Sequence, residues 1–308
     1  MELSALFETS FVIVALMLVG FVGTRRGALS VAFSRTASFL LVNVFLVGTI
    51  FQSVCSGGAG IAPKELPHLV LMVTLMNTLC YLLGHLALRL FSRRFGTGAP
   101  LELSIGVMNN LLIGLPILQS VYGPTAVLIA GLTSIPFNLT LYTYGAWRLR
   151  REGSGEGRSI SLRDIFSPSV LSTLAALVFF VFSLPVPGAV SRLMSAAAGV
   201  SMPLSMIVIG ITMGSEKLTD ALRDKRVYLI AFFRLLLAPL LTWLLLRMLT
   251  ENALLLKSCV VIAGCPTGIV VPILSLQFGH DAALPSNCVI VTTLLSLITL
   301  PILLILLG

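Results

Sequence analysis

Stretches of about 18 to 25 mostly apolar residues, long enough to cross a bilayer as helices, recur along this chain. They lie at roughly 5–23, 37–55, 66–91, 101–121, 124–147, 165–184, 188–214, 227–249, 253–278 and 282–307. A backbone in hydrocarbon has no water to bond, so each stretch must close its own hydrogen bonds as a helix. The expected fold class is an all-α membrane protein of ten transmembrane helices. With 57% apolar and 10% charged residues and a mean hydropathy of +1.04, the composition excludes a soluble domain. The first stretch follows Glu2 and Glu8 with no basic residue before it, the reverse of a secretory leader, so it is expected to stay as a membrane helix.

The net charge of +8 would point to nucleic acid in a soluble chain, but its distribution gives a different meaning. Arg25, Arg26, Arg35; Arg89, Arg93, Arg94; Arg148, Arg150, Arg151, Arg158, Arg163; and Lys217, Arg223, Lys225, Arg226 follow the first, third, fifth and seventh spans. The loops after spans 2, 6 and 8 hold only Lys64, Arg192, Arg247 and Lys257. By the positive-inside rule both termini lie outside and the odd-numbered loops are cytoplasmic. The charge encodes orientation, with membrane lipid as the surroundings and no nucleic-acid partner.

Cys55, Cys80, Cys259, Cys265 and Cys288 show no metal-ligand spacing and read as small packing residues, so neither a disulfide framework, a metal site nor another cofactor is expected. Asp164, Asp220, Asp224 and Asp281 fall in loops or at span ends, and HExxH and GxSxG are absent, which argues against an intramembrane enzyme. Glu8 and Glu102, near helix ends, read as solvated or dipole-stabilising residues. His85 and Asn77 stand eight positions apart on approximately one face of the third span. The Gly- and Ser-rich segment 148–164 reads as a cytoplasmic linker between repeats at 1–147 and 165–308. Five spans in each half would set related halves in opposite orientations, as inverted repeats.

The fourth and ninth spans carry chemistry that ordinary membrane helices avoid. "NLLIGLPILQSVYGPTA" laid over "PTGIVVPILSLQFGHDA" with Pro116 on Pro272 matches Ile113, Ile117, Leu118, Gly123 and Ala126 with Ile269, Ile273, Leu274, Gly279 and Ala282. A proline inside a helix removes a donor and clashes with the preceding turn, so both helices are expected to break near Leu112 and Gly268. Gly114, Gly264 and Pro266 loosen them further. Two broken helices crossing near the midplane would offer half-helix N-termini to an anion, beside the amides of Asn109 and Asn110. Arg234, deep in the eighth span, is expected either to attract an anion or to hold a carbonyl or carboxylate.

"NNLLIGLPILQSVYG", "CPTGIVVPI", the Arg-x4-Pro of "RLLLAPL" and the ending "TTLLSLITLPILLILLG" resemble the auxin efflux carrier family of membrane transporters. The resemblance implies two inverted five-helix repeats with broken crossing helices 4 and 9, and movement between inward-open and outward-open states. It implies that Asn109 binds a substrate carboxylate, and that the ninth-span motif corresponds to Pro266, Gly268, Ile269 and Val270, with Cys265 before it and the Thr267 hydroxyl beside the break. Gly114 and Pro116 complete the expected site. Plant members place a proline before that asparagine, where this chain has Met108. The short linker is similar to that of bacterial members, which implies an inner-membrane location, a small organic anion as substrate and a homodimer among the expected assemblies. A sodium-coupled anion symporter of related inverted-repeat type and an anion channel remain as alternatives.

Overall fold

The computed structural model describes residues 3–55, 62–95, 98–153, 165–215 and 218–308. The linker's residues 154–164, the side chain of Glu8 and that of Cys55 lie outside what it describes. Among the described residues the protein is all helical apart from one two-residue bridge. Six helices are long and apolar enough to cross a membrane, and shorter apolar helices fill out the remaining spans. Large apolar side chains such as Phe11, Leu18, Phe39, Leu82, Leu90, Leu276 and Leu306 are more than half exposed to the surroundings. In water that would be costly, whereas lipid covers them at no loss.

In chain order the helices are α1 (Leu3–Arg25), α2 (31–55), α3 (Leu66–Phe95), α4a (Ala99–Gly106), α4b (Asn110–Tyr122), α5 (Pro124–Glu152), α6 (Pro168–Val181), α7 (Gly188–Ser215), α8 (Lys225–Leu246), α9a (Ala253–Ala263), α9b (Val270–Gln277) and α10 (Ala283–Leu307). They pack as two bodies. α1, α2, α6 and α7 form one; α3, α4, α5, α8, α9 and α10 form the other. In the first body glycine lets α1 and α7 approach backbone to backbone: a Cβ at Gly210 would lie 2.0 Å from the Met17 carbonyl oxygen, and one at Gly20 2.2 Å from that of Ile207. Gly210 and Gly214 supply the small-xxx-small spacing that membrane helices use for such contact. Thr49 and Ser201 add a hydroxyl pair at 2.6 Å between α2 and α7.

Both expected breaks exist, but not at the prolines. Pro116 sits one residue after the widened π-helical turn Asn110–Gly114, and the chain leaves helical geometry earlier, at Val107–Asn109. Pro272 is likewise inside α9b, after an irregular stretch at 264–269. The physical reason is that a helix can absorb a proline by widening, because an i to i−5 bond carries the carbonyl clear of the ring. The same device precedes Pro239 in α8, as the π turn Phe232–Leu237. The Gly268 carbonyl, expected to lose its partner, accepts from the Val271 N–H at 3.0 Å. Seven residues beyond each proline the matched glycines close the half-helices with positive φ, +75° at Gly123 and +77° at Gly279, a region that side chains disfavour.

Candidate functional site

The two breaks meet. Met108 and Thr267 form an isolated antiparallel bridge: the Asn109 N–H donates to the Pro266 carbonyl and the Gly268 N–H to the Val107 carbonyl, each at 2.9 Å. A Cβ on Gly268 would stand 3.1 Å from both the Met108 carbonyl oxygen and Val107 Cγ1, so glycine lets the strands close. The backbone that proline and glycine free from one helix is thus satisfied by the other, as burial at membrane depth requires. Met108 is the bridge residue itself.

Arg234 holds the far side of the crossing. It is fully buried, and its guanidinium donates to the carbonyls of Cys265 at 2.9 Å, Ile105 at 2.7 Å and Ala263. These carbonyls lie at or just beyond the C-terminal ends of α4a and α9a, where a helix leaves acceptors unpaired and its dipole is negative. Of the two expected uses of Arg234, the geometry is that of a carbonyl clamp.

The remaining expected site residues divide. Asn109 caps α4b without a side-chain hydrogen bond to it and lines a small cavity with Leu112, Ile269, and the hydroxyl-bearing Thr212 of α7 and Thr293 of α10. Gly114 and Cys265 pack together, a Cβ on the glycine lying 3.1 Å from Sγ. Asn110 turns away and donates to Thr133 of α5 at 3.2 Å. Pro116 is buried in the first turn that follows the π segment. The Thr267 hydroxyl, expected beside the break, donates to the Ser104 carbonyl at 2.7 Å, and its N–H donates to Thr292 Oγ1 at 3.1 Å. The N–H groups of Asn109, Thr267 and Gly268 are therefore committed to holding the crossing, and cannot also serve a ligand as the sequence pattern leads one to expect.

Thr212, Thr292 and Thr293 carry no sequence signal that distinguishes them from the other hydroxyls of apolar spans. Glu102, read as solvated or dipole-stabilising, does lie in the first turn of α4a but is fully buried in an ion network rather than solvated. Asn77 and His85 do share a face: Asn77 donates to Thr140 Oγ1 at 3.0 Å and His85 reaches Tyr144 at 3.5 Å, both on α5.

A multi-pass membrane protein whose broken helices join around an internal cavity with amide and hydroxyl lining is the class that these features define. The family model described as membrane transport protein matches residues 156–304. Over 301 residues, 96% of this chain and 96% of the relative, the sequence is 26% identical to an uncharacterized transporter of Methanothermobacter thermautotrophicus. The second half of the chain thus resembles the membrane transport protein family and its whole length resembles a transporter, which indicates a transporter rather than an enzyme.

Proposed function

We propose that the protein is a secondary transporter that moves small organic anions, carboxylates first among them, by alternating access. The observation that carries this reading is the position of Asn109: its carboxamide borders a cavity between the crossing and α7, that is, between the two helical bodies. An amide N–H, the Thr212 and Thr293 hydroxyls and the positive dipole ends of α4b and α9b suit a carboxylate. The described lining contains no acidic side chain that would repel an anion. It contains no fixed cation either, so the anion is held by dipoles and can leave again.

The cavity has about 20 Å³ open to water centres, room for roughly one water molecule. A carboxylate substrate would need α7 to draw back from the crossing, which is the motion alternating access supplies. Ten spans in two inverted five-helix repeats fit this reading, supported by the paired breaks, the matched prolines and the paired positive-φ glycines. The basic residues of the odd-numbered loops would set both termini outside a bacterial-type inner membrane.

The test is uptake by reconstituted protein across a panel of labelled mono- and dicarboxylates, at two pH values and with or without sodium. Saturable uptake stimulated by counter-substrate is expected for at least one of them, and Asn109→Ala abolishes it with folding and membrane insertion intact. Normal uptake by that variant would remove Asn109 from the site, and a large unsaturable current would make the protein a channel.

A further inference from the structure

Away from the crossing the chain buries a charged network that anion binding does not use. Glu102 of α4a is fully buried. Its Oε2 accepts from Arg148 Nε at 2.9 Å, with Nη2 at 2.8 Å. Its Oε1 accepts from the Tyr144 hydroxyl and lies 3.4 Å from His85 Nδ1. Arg148 also pairs with Glu152 at 2.7 Å, and Glu152 accepts from the Ala99 N–H at 2.6 Å, closing the N-terminus of α4a.

Two carboxylates thus share one guanidinium, which leaves an excess negative charge whenever the imidazole is neutral. The charges described nearby are exposed, as Arg150 of α5 is, or engaged elsewhere. On α3, Arg89 is exposed; on α5, Arg151 lies over the Trp147 ring at 5.6 Å. In α8, Arg226 pairs with Asp224 at 2.7 Å. In the segment before α10, His280 Nε2 contacts the Leu149 carbonyl at 2.8 Å and Asp281 accepts from the Ala283 N–H at 2.9 Å. An uncompensated charge in such a setting is costly, and a proton on His85 removes the imbalance. The His85 side chain is 35% exposed, while that of Glu102 is fully enclosed.

The network also touches the crossing. Tyr144 packs edge-on against Tyr81 with ring centroids 6.0 Å apart. Tyr81 in turn lies so close to Gly106 that a Cβ there would stand 3.2 Å from its Cα. Gly106 is the last residue of α4a, next to the break. One turn earlier in the helix, a Cβ on Gly84 would lie 2.4 Å from the Glu102 carbonyl oxygen, so α3 and α4a are in backbone contact at both levels.

We propose that His85 and Glu102 form a proton-binding site that couples anion transport to proton movement. The proton is taken from water at the exposed imidazole and returned to water, with no other bond made or broken. Its arrival sets a cation on α3 against the carboxylate of α4a, and so changes the force on the half-helix that ends at the bridge. The inference rests on the reading of the protein as an alternating-access carrier and names its coupling ion.

The first test needs no substrate. The protein has three histidines, so imidazole NMR of the full-length, 15N-histidine-labelled carrier in lipid nanodiscs is assignable with His68→Gln and His280→Gln. As the sample is acidified stepwise the His85 ring is expected to show two N–H protons, and Glu102→Gln to lose that signal. Should Glu102→Gln fail to fold, Tyr144→Phe leaves Oε1 to His85 alone, and the His85 ring signals are then expected to shift while those of His68 and His280 stay in place. The second test loads proteoliposomes with pyranine and adds the carboxylate that the uptake panel identifies: the unaltered carrier moves protons with the anion, and His85→Gln moves the anion without them. A His85 signal indifferent to both substitutions, or proton movement that survives His85→Gln, overturns the proposal. Uptake that survives Asn109→Ala would instead strike at the anion site and leave the NMR result standing.

Discussion

At the scale of single residues, the crossing depends on a cation that touches no ligand. Arg234 presents a planar fork of donors to three carbonyls on two half-helix ends. A lysine keeps the charge but, as a compact ammonium on a flexible stem, cannot span acceptors on both helices. Arg234→Met leaves all three carbonyls buried and unpaired and is expected to destabilise the protein by about 3 kcal/mol or more; Arg234→Lys should fall between. Thermal unfolding of the detergent-purified variants measures this, and a melting temperature unchanged in Arg234→Met would refute the clamp. The sequence shows an arginine at depth but cannot choose its role, because the deciding acceptors lie as far as 129 positions away. Glu102 is a sharper case. Its place near a helix end suggests solvation or a dipole role, and only the folded chain brings Arg148 and His85 from α5 and α3 to seal it.

At the scale of elements, proline marks where a helix is altered but not where it stops. The fourth and ninth spans are legible as broken, since Pro116 and Pro272 interrupt the same point of two apolar stretches. The break itself lies in "VMN", where Asn109 favours turns but Val107 and Met108 do not. It exists because "PTG" of the other helix offers the matching donors and acceptors, a tertiary cause invisible to local pattern. Pro116 still matters to Asn109. The π turn before it contains one residue more than an α turn, and one residue corresponds to about 100° of rotation about the axis. Pro116→Ala lets Asn110–Gly114 relax towards α geometry and swings Asn109 relative to the cavity. The expected result is uptake reduced at least tenfold, the order that misplacing a binding group by about 1 Å produces, with thermal stability kept or raised. Full uptake by this variant would show that the widened turn is incidental.

At the scale of the whole molecule, the membrane spans are legible and the partition into bodies is not, because helices of both bodies are equally apolar and alternate along the chain in blocks. The distinction appears only in packing. Within the first body, glycine seats α1 and α7 against each other and hydroxyls pin α2 to α7. Between the bodies, the contact of α1 and α7 with α4b and α10 encloses a small apolar cavity lined by Met17, Ile117, Met206 and Leu300. Side chains that meet through apolar surface, as they do here, can slide, since no directional bond fixes their register; helices locked backbone to backbone cannot, and between α6 and α5 the Thr173 hydroxyl on the Gly131 carbonyl at 3.1 Å must yield or move as well. If alternating access is the displacement of one body along the other, a covalent link across that cavity must stop it and a link inside one body must not. In a background without the native cysteines, Met17→Cys with Ile117→Cys, joined by a short bifunctional maleimide, is expected to lose nearly all uptake. Thr49→Cys with Ser201→Cys, oxidised to a disulfide, joins residues already in contact at 2.6 Å within the first body and is expected to keep it. Equal loss in both would place the moving boundary elsewhere, and equal retention would mean that the anion passes without the two bodies shifting at all.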